Sequence, residues 1–250
     1  MASEAASAGT AGALAAAATA AAAGPSRAGI VGGLGLGAGI HYYRELAAAR
    51  PGAPLELVLV HCQISTALGL VDTGDKAGLA IYLAEVIGQL KAAGATFAVV
   101  PAVTPHYCID ELNAIAPLPV VDMLEAIRDE VGARRLQRVA LFGTRAVQES
   151  ACYGRLSGLA EVVLPPPAEV ARIDELYTEI AKSMRASPEQ RDAQRAELTA
   201  QADRMIERDG VEAILLAGTD LSAVFDASNT PFPHLDCAAL HIQAVLKRLQ

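Results

Sequence analysis

Tryptophan is absent from the 250 residues, and all aromatics together make up 4%. The stacking platforms that grip single-stranded nucleic acid are therefore missing. Positive charge is also short: 20 Lys and Arg stand against 28 Asp and Glu, a net charge of −8, and no basic cluster interrupts that field. Such a chain repels phosphate backbones and anionic lipid, so nucleic acid and membrane surfaces are not expected partners. Cys62, Cys108, Cys152 and Cys237 form no CxxC pair, which removes zinc knuckles and dithiol redox motifs. Free thiols in a reducing compartment are expected, and the chain reads as cytoplasmic. No HxH or HExxH spacing occurs, so no metal is assigned.

Residues 1 to 26 contain Glu4 but no Lys or Arg. The positive n-region of a signal peptide is missing, and Ala interrupted by Ser, Thr and Gly is too weakly apolar for a membrane span. With no amphipathic face to dock, this Ala-rich segment is expected to be a disordered tail.

The rest is rich in apolar residues, which reach 52% of the whole chain against 19% charged. That balance suits parallel sheets buried on both faces. Ala28 to Val31 reads as a strand, Gly32 to Gly39 as a glycine-rich turn and Ile40 to Arg50 as a helix. Leu55 to Val60 and Thr96 to Val100 read as strands around a helix from Lys76 to Ala93. A helix from about Tyr107 to Ile115 leads to Val120-Val121 and to a helix from Asp122. The scheme then repeats: strand Arg138 to Phe142, a helix to about Leu159, strand Val162 to Leu164, two polar helices split at Ser187-Pro188, strand Ala213 to Leu216, and a last helix from Asp236 to Gln250. Alternation of this kind predicts an α/β fold of two pseudo-symmetric lobes with mostly parallel sheets. Residues 27–120 with 236–250 form the first lobe and 121–235 the second. In open sheets ligands gather at the carboxyl ends of strands, so one cleft between the lobes is expected.

The strand exits carry the recognisable residues. Gly32-Gly33-Leu34-Gly35 followed by Tyr42-Tyr43-Arg44, then Pro101-Ala102-Val103-Thr104-Pro105-His106, Phe142-Gly143-Thr144-Arg145, Ala217-Gly218-Thr219-Asp220 and Pro233-His234-Leu235-Asp236 to His241 stand in order. They resemble GGMG…FYR, PCNTAH, LGTRGT, GCTE and PxID…H of the aspartate/glutamate racemase superfamily, specifically its aspartate-racemase branch. The resemblance covers about residues 28 to 250. It implies cofactor-independent chemistry with one thiol at each of two strand exits, flanking the substrate's α-carbon, because inversion needs a base on one face and an acid on the other. At those two positions this chain has Ala102 and Gly218. Val103 replaces the neighbouring Asn, and Val147 replaces the second Thr of the LGTRGT turn. A roomier and more apolar cleft follows.

Among the remaining groups, Thr104, Thr144 and Thr219 supply hydroxyls at helix starts suited to a carboxylate, with Gly33, Leu34, Ala102, Val103 and Gly218 lining the same substrate site. His61, Cys62 and His106 are the best-placed acid–base residues. Asp220, in place of the motif's Glu, is also a titratable candidate, although capping of the following helix explains it as well. The glycines of the opening turn allow a phosphate loop, but His61 stands where a dinucleotide fold ends its second strand in an acidic residue. The expected function is a cofactor-independent isomerase or lyase acting on a small carboxylate by non-thiol chemistry. The alternative is a non-catalytic carboxylate-binding or partner-stabilising protein on the same scaffold, and an amino-acid racemase ranks below both. A homodimer is compatible with either.

Overall fold

The structure, a computed structural model, describes residues 26–183 and 185–250. The tail assigned to 1–26 lies, but for its last residue, outside the described residues.

Two four-stranded sheets share one connectivity. The first holds β1 (Ala28–Gly32), β2 (Leu57–His61), β3 (Phe97–Val99) and β4 (Val120–Val121) in the order β2-β1-β3-β4. The second holds β5 (Arg138–Phe142), β6 (Glu161–Val162), β7 (Ala213–Leu216) and β8 (His234–Asp236) in the order β6-β5-β7-β8. All pairings are parallel, as right-handed crossovers through helices require. Alternation along β5 and β7 decides which core each residue enters. Val139, Leu141, Ala213 and Leu215 join a core that runs through the first sheet, while Ala140, Phe142, Ile214 and Leu216 pack against the other layer of helices. The second sheet thus has one face in a core shared by both lobes.

The helices are α1 (Leu36–Ala48), α2 (Ile64–Asp72), α3 (Lys76–Ala92), α4 (Ile109–Ile115), α5 (Met123–Ala133), α6 (Arg145–Glu149), α7 (Pro167–Lys182), α8 (Pro188–Asp209) and α9 (Cys237–Arg248). Asp122 caps α5 by accepting the N–H groups of Leu124 and Glu125. Ser187 and Gln190 form a reciprocal capping box at the start of α8. The last helix packs on α5 and α1. Its His241 accepts a hydrogen bond from the Tyr42 hydroxyl (2.9 Å) and donates to the Val121 carbonyl (2.9 Å). None of these helices is long and apolar enough to cross a membrane.

Two expectations need correction. The segment after β2 forms α2, which the strand-to-helix reading passed over. The helix expected to reach Leu159 ends at Glu149, because Ala151, Cys152 and Tyr153 all adopt positive φ. Ser150 enforces that stop: its hydroxyl donates to the Ala146 carbonyl and accepts the Tyr153 N–H, displacing the helical pattern.

Candidate functional site

A cavity of about 510 Å3 opens at the carboxyl ends of strands from both sheets. Gly33 and Leu34 follow β1, His61 ends β2, and Ala102, Val103 and Thr104 follow β3. Thr144 follows β5 and Asp220 follows β7. These eight residues, singled out from the sequence, stand together on one wall system. Gly33 is fixed by two constraints: its φ is +90°, and a methyl group there would lie 2.9 Å from Cε1 and 3.0 Å from Nδ1 of His61. Only glycine lets the imidazole lie this close to the backbone.

Four sequence candidates stand elsewhere. His106 is 1% exposed and off the cavity wall, its Nδ1 donating to the Ala102 carbonyl (2.8 Å) and its Nε2 accepting the Met123 N–H (3.2 Å). Both ring nitrogens are spent on backbone, and burial pushes its pKa down, so it is a neutral structural tie. Cys62 is buried behind the wall, with burial raising its thiol pKa. The Thr219 hydroxyl does not face a ligand; it donates to the Pro101 carbonyl at 3.1 Å, joining the exits of β3 and β7. Gly218 is covered by a ring. A methyl group on its Cα would fall 2.8 Å from Cζ and 2.9 Å from Cδ2 of Tyr177.

Tyr177 on α7 is the residue that sequence reasoning missed. It lines the cavity, and its hydroxyl donates to Asp220 Oδ2 across 3.4 Å, a long contact for this bond type. Asp220 does not cap the short 3-10 turn Thr219–Ala223 that contains it, which has no side-chain cap. Its carboxylate instead lies over Gly35, 3.0 Å from where a Cβ would sit, at the uncapped start of α1. Burial raises the Asp220 pKa, while the Tyr177 hydroxyl and the Ala38 N–H pull it back. Burial and the Asp220 charge likewise hold the Tyr177 phenol well above its ordinary value. A smaller recess of about 160 Å3 reaches Asp220 from outside, with His41 and Arg44 on its wall. Asp220 therefore lies between the two recesses.

Thr144 divides its hydroxyl between the cavity and capping of α6, where it accepts the Val147 N–H at 3.4 Å. The Thr104 carbonyl accepts from the Tyr153 hydroxyl (3.3 Å), which ties the left-handed turn of the second lobe to the cleft. The far wall is α2, contributing Ile64, Ala67, Leu68 and Val71, and Lys182 closes the α7 side. Among the described residues no three His, Cys, Asp or Glu side chains gather as a metal-binding group.

Residues 31–245 match the Asp/Glu/Hydantoin racemase family. A solved structure from Yersinia pestis, described as a candidate Asp/Glu racemase, superposes with a TM-score of 0.72 at 26% identity, covering 90% of this chain and 100% of that one. An aspartate racemase homologue from Pyrococcus horikoshii OT3 gives 0.71 at 20% identity, over 90% and 99%. Arylmalonate decarboxylase gives 0.52 at 15%, over 90% and 92%. The repeated sheet order, the cleft at the strand exits and the match over residues 31–245 lead to one assignment: this chain belongs to the Asp/Glu/Hydantoin racemase family.

Proposed function

We propose that the chain is a cofactor-independent lyase or isomerase that acts on a small carboxylate without a thiol pair. The observation that carries this reading is Tyr177 seated over Gly218 with its hydroxyl on Asp220. The resemblance puts thiols at positions 102 and 218; a methyl group and a covered glycine cannot move protons. Tyr177 and Asp220 supply that capacity on the second-lobe wall, and among the described residues His61 is the one titratable side chain lining the first-lobe wall. A phenol kept protonated by burial suits an acid that delivers a proton to carbon.

In this scheme an electron pair is left on the carbon beside the carboxylate, either by C–C cleavage with departure of CO2 or by removal of a proton to His61. The pair takes the Tyr177 hydroxyl proton and the phenolate recovers one from water, while the Asp220 carboxylate, which accepts from that hydroxyl in the resting site, holds it in place; in the second branch His61 returns its proton to water. Such chemistry fits the scaffold, since proteins of this fold are named as racemases and as arylmalonate decarboxylase. A purely carboxylate-binding protein has no need of a buried phenol held by a carboxylate on its cleft wall.

The test is proton NMR in deuterated buffer. Aspartate and glutamate are expected to keep their α-hydrogens, while a panel of 2-substituted malonates and unsaturated dicarboxylates is followed for substrate loss and deuterium uptake. For a substrate that reacts, Tyr177→Phe and Asp220→Asn should each lower kcat about 100-fold or more. His61→Gln separates the two branches: it stops isomerisation and spares decarboxylation. Efficient racemisation of aspartate by the unaltered protein would overturn the proposal.

A further inference from the structure

We infer that the ligand of this cleft is a carboxylate with an extended apolar body, of medium-chain alkyl or arylalkyl size, laid along the inner face of α2. This rests on the reading of the cleft as a carboxylate site.

Size is the first observation. A cavity of about 510 Å3 falls in the range that encloses drug-sized ligands rather than one amino acid. The second is the placement of α2. Ile64, Leu68 and Val71 recur at i, i+4 and i+7, the spacing that normally turns a helix onto a core, yet here they line the cavity and only Ala67 of this helix is buried. Ile64 is 42% and Leu68 43% exposed, and Leu36 at the start of α1 is 54% exposed on the same cavity. Large aliphatic side chains held in water around one concave site mark a surface made to be covered. Polarity is the third. Thr104, Thr144 and Lys182 line the same cavity, so it offers hydroxyls and an ammonium to an anion as well as an aliphatic wall to hydrocarbon. Lys182 is five residues beyond Tyr177, roughly 7.5 Å along the helix axis.

Calorimetric titration with butyrate, hexanoate, octanoate, 4-phenylbutyrate and succinate tests the assignment directly and needs no turnover. Affinity should rise about two- to fourfold per methylene from butyrate to octanoate. Leu68→Asp should flatten that series. Leu164→Asp, at a residue 49% exposed and away from the cavity, should leave the slope unchanged. Equal affinity for all chain lengths, or a slope that survives Leu68→Asp, would overturn the ligand class while sparing the carboxylate reading. Binding of neither succinate nor octanoate would remove both. A change of oligomeric mass on Leu68→Asp, seen by light scattering together with a flat series in the parent protein, would make the α2 wall a subunit contact and overturn the inference.

Discussion

At the exit of β3 the nearly buried Ala102 and Val103 line the cavity themselves, whereas at the equivalent exit of β7 Gly218 lies beneath the Tyr177 ring and Asp220 takes its place on the wall. Both exits belong to sheets of identical strand order, so topology alone would make them interchangeable. The helices laid over them break that equivalence. α7 sends an aromatic acid into the second exit, while α2 gives the first lobe an aliphatic wall. A pseudo-symmetric scaffold thus fixes where a site lies, and the covering helices decide its chemistry.

The largest effect is expected where that asymmetry is most confined. Gly218→Cys must displace the Tyr177 ring and should cost about 1–3 kcal/mol, whereas Ala102 already carries a Cβ and lines the cavity, so Ala102→Cys should cost about 1 kcal/mol or less. Urea melts of the two variants would measure the difference, and Tyr177→Ala should relieve much of the Gly218→Cys penalty, a non-additive pair of the kind neighbours show. Equal costs at 102 and 218 would erase the distinction between the exits.

Acid should separate the lobes next. Burial pushes His241 down to about 3 and lowers His106 as well, against about 6.5 in the unfolded chain. Below that value the unfolded state takes up protons that the native state refuses. Stability is therefore constant above about pH 6.5 and falls on acidification by about 1.4 kcal/mol per pH unit for each imidazole, continuing for His241 toward pH 3. Both rings are tied to the first sheet, at Ala102 beyond β3 and at Val121 in β4. Amide exchange at pH 5 should accordingly rise first in the first sheet and α9. His241→Gln should flatten the pH slope, at the expense of baseline stability from the altered Tyr42 contact.

A smaller change confined to the second lobe completes the series. Ser187→Ala removes the α8 capping box and should cost about 1 kcal/mol, read as a lower urea midpoint with no effect on succinate affinity. An effect on ligand binding would mean that α8 and the cleft are coupled more tightly than their separation in the fold implies.

The strands and the long helices were legible because their apolar runs and caps are local features. Ser187 before Pro188 and Asp122 before Met123 identify helix starts without any tertiary information. α2 escaped because its periodicity serves a cavity: Ile64 and Leu68 remain exposed, Gly69 sits mid-helix and no side chain caps Gln63. Ala102, Thr104 and His61 could be placed at the cleft since each follows a strand directly. Tyr177 could not, as 43 residues separate it from Asp220 and only the packing of α7 brings them together. His106 and Thr219 misled for the converse reason. Their sequence neighbours line the cleft, but their polar atoms are satisfied by carbonyls that no sequence pattern reveals.

The bond from the Thr219 hydroxyl to the Pro101 carbonyl spans 118 residues and is buried. It clamps the two strand exits at the floor of the cleft, and the Tyr153 hydroxyl on the Thr104 carbonyl adds a second clasp. Widening the floor would expose or orphan a buried donor, a cost of about 1–3 kcal/mol, and a shift of α7 would strain the Tyr177–Asp220 contact and the Gln148 bond to the Val170 carbonyl, which leaves α2 as the freer side of the rim. Ligand traffic is consequently governed by the rim. Substitutions there should alter residence time before they alter the geometry of the bound state, and the Thr219 clamp keeps the spacing between the two exits constant while molecules come and go.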